Sequence, residues 1–312
     1  MSKIICGVDV SQQWLDIHVL PDAIEGRFGN DAAGIAALAQ LCLSHGVELV
    51  AMEASGGYER RAYALLWQAG VACGLANAHR VRLYAGSMGF KEKTDRLDAR
   101  MIAAFADASG LVAQPLASAA QARLSHLVAR LCQVTGDLTV QKQRLHTAAD
   151  GEMRASIEEV ASLLKRQSRH LEGEIASLID DDPLWSRLDG ALRSLKGVAS
   201  RTVARLMAEL PEIGLISNKA IAKLAGLAPM AKDSGKHAGR RSIHGGRAGP
   251  RSVLYLVAAI TARYDPHLAA FHQRLQLAGK PKMVIRIALA RKLLVILNAK
   301  ARDARKEFAN AA

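Results

Sequence analysis

The stretch KIICGVDV, residues 3–10, is the part of this 312-residue chain from which its fold is predicted. It is an apolar run with one carboxylate, Asp9, near its end, which is typical of a buried strand. Residues 14–20 alternate between apolar and polar side chains and predict a second strand. Residues 24–29, which follow the turn at Pro21, predict a third strand. The chain therefore opens with three short strands that we expect to pair in antiparallel order.

The rest of the N-terminal region alternates between helices and strands. The apolar spacing predicts helices over residues 31–45 and 58–68 and buried strands over residues 47–52 and 71–76. A further helix begins in the segment KTDRLDAR, residues 93–100. Three antiparallel strands followed by alternating helices and strands is the order of the ribonuclease-H-like, or RuvC-like, fold. We therefore predict an α/β domain followed by mostly helical structure.

Four carboxylates fall at informative places in this order. Asp9 ends the first strand, Glu53 ends the fourth, and Asp95 and Asp98 are three residues apart, so on a helix they share one face. Carboxylates that converge in this way suit Mg²⁺ or Mn²⁺, and two such ions support phosphoryl transfer. Each residue also has an ordinary explanation: Asp95 and Asp98 suit a first helical turn, and Asp9 and Glu53 suit strand ends.

The charge of the chain is unevenly distributed. The net charge is +13, and residues 183–312 hold 24 Lys and Arg against 7 Asp and Glu, whereas residues 1–182 hold 18 against 22. A basic C-terminal part is typical of polyanion binding. Aromatic residues make up only 4% of the chain, which favours contacts to phosphates over base stacking.

Cysteine usage and hydropathy bear on the compartment. The cysteines at positions 6, 42, 73 and 132 show no CxxC spacing, so we expect reduced core residues in a cytoplasmic protein. The N-terminus lacks the layout of a signal peptide and is predicted to be a strand. No apolar run reaches the ~18 residues that a membrane span requires.

Three domains are predicted. Residues 1–112 form the acidic α/β domain, and residues 183–312 form the basic C-terminal domain. Residues 113–182 are predicted to form a coiled-coil arm, because residues 117–179 have long helical periodicity that suits two helices joined near Asp150. Such an arm either mediates dimerisation, through apolar residues such as Leu127 and Leu131, or packs on its own domain.

The C-terminal domain contains two candidate nucleic-acid-binding features. Gly197 lies in a segment that is similar to one helix-hairpin-helix unit, whose backbone N–H groups face a phosphate. Residues 228–247 are rich in glycine and basic residues and nearly free of apolar ones. The basic candidates for polyanion contact are Lys232, Lys236, Arg240, Arg241, Arg247 and Arg251. Ser234 and Ser242 are both candidate nucleophiles, and spacing alone does not choose between them.

Several of these segments together resemble one known family. The motifs, as they stand here, are GVDVS at 7–11, MEASGGYE at 52–59, KTDRLDA at 93–99, GLAP at 226–229, DSG at 233–235, GRR at 239–241, GGR at 245–247, AGKPK at 278–282 and RKLL at 291–294. In order and spacing they are similar to the transposases of insertion sequence family 110, which are related to Piv-type DNA invertases. The resemblance covers nearly the whole chain.

The resemblance implies an activity, partners and residue roles. It implies a recombinase that joins a RuvC-like domain, with Mg²⁺ at Asp9, Glu53, Asp95 and Asp98, to a transposase domain in which Ser234 attacks DNA and forms a phosphoserine intermediate. It also implies a structured noncoding bridge RNA that selects donor and target double-stranded DNA. The expected assembly is a homo-oligomer, a dimer of dimers, in which the helical arm completes the site.

Three other functions would use parts of the same sequence pattern. A structure-selective nuclease of the RuvC type would use the same carboxylates with water as nucleophile, and Ser234 would only contact a phosphate. A nucleic-acid-binding scaffold with an inactive nuclease fold would show no metal-dependent cleavage. A sugar-kinase-like use of the fold is disfavoured because the glycine-rich phosphate loops are missing.

Overall fold

A computed structural model describes residues 3–90, 95–231, 233, 239 and 241–311, without the side chains of residues 95–97. The chain divides into two compact units, residues 1–117 and residues 118–312. Within the described residues, no helix combines the length and the apolar character that crossing a membrane would require.

The N-terminal unit is built on a five-stranded sheet with the strand order β3-β2-β1-β4-β5. Its strands are β1 (Ile5–Val10), β2 (Trp14–Leu20), β3 (Ile24–Gly29), β4 (Leu49–Glu53) and β5 (Cys73–Ala76). β2 pairs antiparallel with both β1 and β3, whereas β4 runs parallel to β1 and β5 runs parallel to β4. The predicted order of strands is confirmed, and an N-terminal sheet with helices is followed by a mostly helical remainder.

Helices cover both faces of this sheet. They are α1 (Ala32–Ser44), α2 (Glu59–Gln68), α3 (Ala78–Ser87) and α4 (Asp95–Ser109). One face buries Val8 of β1 against Leu38 of α1 and Leu66 of α2. The opposite face buries Ile5 of β1 against Ile102 of α4. Helix α3 was not predicted from the sequence, although Asn77 caps its start.

Polar side chains explain where most helices begin. An Asp, Asn or Ser before the helix accepts a hydrogen bond from a backbone N–H of the first turn, which satisfies a donor that lacks an intrahelical partner. The residues that do this are Asp31, Asn77, Ser118, Asp150, Asp182, Ser217 and Asp265. Two of these helices also have a proline in the first turn, at 183 and 266, where its missing N–H costs nothing.

Three cysteines of the N-terminal unit lie in its core, and all four cysteines are free thiols. Burial raises the pKa of Cys73 to about 12. A hydrogen bond between the side chains of Cys6 and Cys42, together with burial, raises the pKa of Cys6 well above its usual value. The same hydrogen bond lowers the pKa of Cys42, although burial acts in the opposite direction there. The prediction of scattered, unpaired core cysteines is confirmed for these three residues.

The C-terminal unit begins with a pair of long helices, α5 (Ala119–Thr147) and α6 (Gly151–Asp180). The helices are antiparallel neighbours because they contact each other near both ends. Near one end, Arg123 Nη2 lies 2.7 Å from Glu174 Oε2. Near the other, Arg154 Nη1 donates a hydrogen bond of 3.0 Å to the carbonyl of Leu145. We call this pair the α5–α6 hairpin.

The base of the α5–α6 hairpin shares one hydrophobic core with the remaining helices. These are α7 (Pro183–Arg193), α8 (Ser200–Glu209), α9 (Asn218–Leu224), α10 (Ala248–Thr261), α11 (Pro266–Leu277) and α12 (Lys282–Ala311). Leu127 and Leu131 are only 5% and 7% exposed in this core, and α8 packs against α5. The apolar face considered for a subunit contact is therefore covered, at these two positions, by the chain's own helices.

The outer part of the α5–α6 hairpin is different. Between Val134 and Ala161, a stretch that the structure describes throughout, no side chain is buried. Val140, Met153 and Val160 in this stretch, and Leu163 just beyond it, are 41–62% exposed. The coiled-coil character and the dimerisation role of the hairpin stay predictions, and the exposed outer part is where they can be tested.

Candidate active site

One face of the sheet carries the strand-end carboxylates. We call it the α4 face because Ile5 of β1 and Ala51 of β4 pack there against Ile102 of α4. Successive side chains in a strand point to opposite faces. Asp9, four residues after Ile5, and Glu53, two residues after Ala51, therefore lie on the α4 face as well.

Asp9 and Glu53 are neighbours in register. The last paired positions of the parallel strands β1 and β4 are Val8 and Met52, and Asp9 and Glu53 are the residues that follow them. Both side chains are half-buried. The structure thus places these two predicted site residues side by side at the carboxyl ends of adjacent parallel strands, where active sites of open α/β sheets form.

Helix α4 approaches β1 very closely. A Cβ atom at Gly7 would overlap the backbone of Ala99 and would lie only 2.5 Å from the backbone nitrogen of Ala103. Asp98, which precedes Ala99, is half-buried, and Asp9 lies two residues beyond Gly7. The close crossing therefore brings the start of α4 to the strand that carries Asp9. Asp95 is the first residue of α4, and its side chain lies outside the described part of the structure.

The donor chemistry of these residues suits a hard divalent cation. Asp9, Glu53 and Asp98 offer only carboxylate oxygens, which Mg²⁺ and Mn²⁺ prefer. Among the side chains that the structure describes, no three His, Cys, Asp or Glu residues are grouped as a ready metal site. The fourth predicted ligand, Asp95, is not among them. The structure therefore places two carboxylates together and a third near the helix crossing, and the complete quartet stays a prediction.

Two charged residues of the α4 face were missed in the sequence. Asp16 of β2 is directly opposite Asp9 in the antiparallel register, and Arg27 of β3 is directly opposite Asp16. Asp16 is only 6% exposed, and Arg27 donates two hydrogen bonds to its carboxylate, from Nε to Oδ1 at 2.8 Å and from Nη2 to Oδ2 at 3.0 Å. The alternation of residues 14–20 was the available signal, because it puts Asp16 on the opposite face from Leu15 and Ile17.

In the C-terminal unit, the candidate nucleophile lies in the loop between Met230 and Ser242. Lys232, Ser234, Lys236 and Arg240 lie outside the described residues, so their predicted roles stay predictions. The ends of the loop are held together, because the backbone N–H of Met230 donates a 2.9 Å hydrogen bond to the carbonyl of Ser242. Ser242, the other candidate, is exposed and lies at this closing bridge.

Two glycine motifs, one before Met230 and one after Ser242, contact each other. Gly226 and Gly246 have φ angles of +65° and +67°, which residues with a side chain rarely adopt. A Cβ at Gly246 would overlap the backbone of Gly226. The N–H of Arg247 donates a 2.7 Å hydrogen bond to the carbonyl of Leu224. The motifs GLAP and GGR are therefore the two backbone segments that cross at the base of the loop.

Arg247 and Arg251 have partners within the protein. Arg247 donates 2.7 Å hydrogen bonds from both Nη atoms to the Glu212 carboxylate, and Nη1 also donates to the carbonyl of Glu209 at 2.9 Å. Arg251 Nη1 donates to the carbonyl of Gly245 at 2.6 Å. These contacts stabilise the base of the loop, and the predicted phosphate contacts of the two residues stay predictions.

Two other predicted nucleic-acid contacts have defined surroundings. Gly197, between α7 and α8, has a φ of +96°, and a Cβ there would lie 3.1 Å from Cα of Thr261. Arg241 is exposed and lines a pocket of about 730 Å³. The lining is mostly apolar and includes Phe271 and Ile287, and Arg291 and Lys292 add positive charge. Arg241 is thus a predicted basic contact that lies beside a pocket.

Comparisons with known proteins give a consistent result along the whole chain. Residues 6–153 match a family model described as transposase, the IS110 type with a DEDD motif. Residues 189–273 match a model described as transposase, IS116/IS110/IS902 family. The pilin gene-inverting proteins of Moraxella bovis and Moraxella lacunata are each 25% identical over 315 aligned residues, which covers 95% of both chains.

Solved structures of RuvC from Thermus thermophilus are also similar. The structure in complex with a Holliday junction substrate has 15% sequence identity and a TM-score of 0.28. The match covers 36% of this chain and 99% of that chain. A second RuvC structure from the same organism has a TM-score of 0.26.

Proposed function

Because this chain belongs to the IS116/IS110/IS902 family of transposases, we propose that it cuts and rejoins donor and target DNA through a covalent phosphoserine intermediate. The observation that carries this proposal is the placement of Asp9 and Glu53 in register at the carboxyl ends of β1 and β4, beneath α4. Half-buried carboxylates on adjacent strands repel each other and are stable where a cation joins them.

The residues have distinct proposed roles. Asp9, Glu53, Asp95 and Asp98 hold Mg²⁺ or Mn²⁺, which when bound lowers the pKa of a nearby hydroxyl and offsets charge on phosphate. Ser234 gives up its proton, and its Oγ forms a bond to phosphorus. The bond from phosphorus to the neighbouring nucleotide oxygen breaks, and that oxygen takes up a proton. The reverse step, on another strand end, rejoins DNA.

The loop and its surroundings supply positive charge. Lys232, Lys236, Arg240 and Arg241 stabilise the charge that develops on the attacked phosphate. Gly197, Arg247 and Arg251 contribute to phosphate contact elsewhere on the basic unit. Residues 183–312 carry 24 Lys and Arg, and no base-reading motif was found in them. We therefore propose that a structured noncoding bridge RNA selects the DNA sequence.

The assembly is proposed to be a dimer, and a dimer of dimers when active. The support is the outer part of the α5–α6 hairpin, where Val140, Met153, Val160 and Leu163 are exposed. Exposed apolar side chains on long helices commonly cover one another between subunits.

Trapping the covalent intermediate tests the function. We expect wild-type protein with Mg²⁺, bridge RNA and labelled DNA to form an adduct that survives denaturation, and EDTA to prevent it. Ser234→Ala should bind both nucleic acids and form no adduct, whereas Ser242→Ala, a matched control in the same loop, should form it. Strand cleavage without any adduct would instead support a RuvC-type nuclease that uses water. An adduct on Ser242 would move the nucleophile along the loop.

A mixing experiment tests whether Ser234 and the acidic residues act together. Ser234→Ala protein supplies an intact acidic domain, and Asp98→Asn protein supplies an intact serine. If one site is completed by two subunits, the mixture should recover part of the strand cleavage that each variant lacks alone. Cleavage that stays absent in the mixture would mean that both groups must come from one subunit.

A further inference from the structure

A row of charged side chains crosses four strands on the α4 face. In register from edge to centre, the row consists of Arg27 on β3, Asp16 on β2, Asp9 on β1 and Glu53 on β4. Residues directly opposite each other in an antiparallel pair have Cβ atoms about 4.5–5.5 Å apart. Asp9 therefore has a carboxylate neighbour on each side, of which only Glu53 belongs to the predicted quartet.

The carboxylate of Asp16 is an unusual neighbour for a metal ligand. It is 6% exposed, and a strong partner offsets the cost of removing a carboxylate from water. Arg27 provides that partner with the two-point geometry that binds a carboxylate most firmly. The guanidinium is itself about half exposed and lies 5.9 Å from the ring centre of Trp14. The pair is therefore neutral overall, with its negative end next to Asp9.

This arrangement has a consequence for the acidic site. Like charges directly opposite in a sheet are destabilising, and the effect at about 5 Å is substantial at the dielectric typical of a protein surface. With Arg27 in place, Asp16 adds little net charge at Asp9. Without Arg27, the negative charge of Asp16 would be balanced only by a cation bound at the neighbouring carboxylates, which favours binding of that cation. Without Asp16, the positive charge of Arg27 would remain unbalanced beside the site and would oppose binding.

We propose that the Asp16–Arg27 pair sets the charge of the acidic site, and thereby its affinity for a divalent cation, without either residue binding the cation. The proposal deepens the proposed function, because it concerns the same carboxylates as that function. Asp16 and Arg27 are positioning residues here, since they act through Asp9. The two residues differ in sign, so their removal should change the affinity in opposite directions.

Direct measurement of Mn²⁺ binding tests this without catalysis. The full chain is titrated with Mn²⁺ in the absence of nucleic acid, and free Mn²⁺ is followed by electron paramagnetic resonance. We expect Arg27→Gln to bind Mn²⁺ about tenfold more tightly and Asp16→Asn about tenfold more weakly. The double variant restores neutrality and should bind within about threefold of wild type.

Two controls make the result specific. Arg193→Gln breaks another Arg–Asp pair, in which Nη1 of Arg193 lies 3.0 Å from Asp189 Oδ2 in the C-terminal unit. It should leave Mn²⁺ affinity unchanged. Asp9→Asn should remove the tight Mn²⁺ site altogether, which locates the titrated site. Circular dichroism reports whether each variant is folded. If Arg27→Gln does not fold, Arg27→Lys takes its place in the test. Because Arg27→Lys keeps the charge, it should bind Mn²⁺ with wild-type affinity.

Other outcomes overturn the proposal. Equal losses in both single variants would mean that the pair only supports the fold. A double variant as weak as Asp16→Asn would make Asp16 a metal ligand. If Asp9→Asn removes no Mn²⁺ site from the wild-type protein, the pair has no role in cation affinity. None of these results depends on the phosphoserine adduct, so failure of the serine mechanism would be recognised separately.

Discussion

Gly7 of β1 lies directly against Ala99 of α4, at a distance that leaves no room for a methyl group. This contact joins the strand of Asp9 to the helix of Asp98. A helix normally packs on a sheet through side chains on both elements, but at Gly7 the strand has no side chain. The glycine in the motif GVDVS is therefore explained by packing, and the aspartate two residues later depends on it for its surroundings.

Substitution of this glycine should destabilise the N-terminal unit. In Gly7→Ala the new methyl group meets helix backbone, which cannot rotate away, so we expect a loss of at least about 2 kcal/mol in the free energy of unfolding. Urea denaturation followed by circular dichroism measures it. Gly86→Ala is the matched control, because nothing lies within 4 Å of that position in α3. That variant should be neutral or more stable by up to about 1 kcal/mol; equal losses in both would contradict the packing argument.

Loss of one acidic side chain should abolish chemistry and leave the fold intact. Asp98→Asn removes a proposed cation ligand from a half-buried position without changing its size. We expect strand cleavage to fall at least about a hundredfold, since even outer partners of metal ligands are worth 10- to 100-fold. Asp107→Asn, at an exposed position of the same helix, should cleave as wild type. Near-normal cleavage by Asp98→Asn would remove this residue from the site.

The outer part of the α5–α6 hairpin should determine the oligomeric state. Introducing Val160→Glu and Leu163→Glu together places charges on side chains that are 41% and 48% exposed, so folding should be preserved while an apolar contact between subunits is broken. Light scattering should then report a smaller mass. Ser162→Glu adds a carboxylate between these positions and should leave the mass unchanged. If the mass of the double variant equals that of wild type, the hairpin makes contacts only within its own subunit.

Nucleic-acid binding should depend steeply on salt. Several phosphate contacts imply roughly a thousandfold loss of affinity between 50 and 200 mM salt. Arg241→Gln removes one exposed cation beside the pocket and should reduce the slope of log affinity against log salt by about one. Arg187→Gln, at an exposed position of α7, serves as the control. A slope unchanged by Arg241→Gln would place the phosphates elsewhere.

The order of strands was predictable from sequence because β1, β4 and β5 are short apolar runs, β2 alternates between apolar and polar residues, and a turn at Pro21 separates β2 from β3. β1 ends at Val10 and β4 ends at Glu53, within a residue of the predicted ends. Helix α3 was missed because only Val81 of its residues is buried, so it lacks an apolar repeat. The spacing of apolar residues predicts a helix or strand only when that element buries those residues on one face.

The candidate site was predictable only in part, for a related reason. Asp9 and Glu53 stand at strand ends, where sequence order already implies that they meet. Asp16 lies within a strand, and its importance depends on cross-strand register, which one sequence does not contain. The pairing of Arg247 with Glu212 likewise joins residues 35 positions apart. Contacts of this kind follow from tertiary structure.

The bridge between Met230 and Ser242 holds together the two ends of the segment that contains the proposed nucleophile. Four residues span at most about 14 Å when fully extended, so chain length alone keeps the Cα of Ser234 within that distance of Met230. If Ser234 is the nucleophile, as we propose, it can meet its target only close to this bridge. On that proposal the phosphodiester is carried to the serine, and the accuracy of recombination depends on how the DNA is presented.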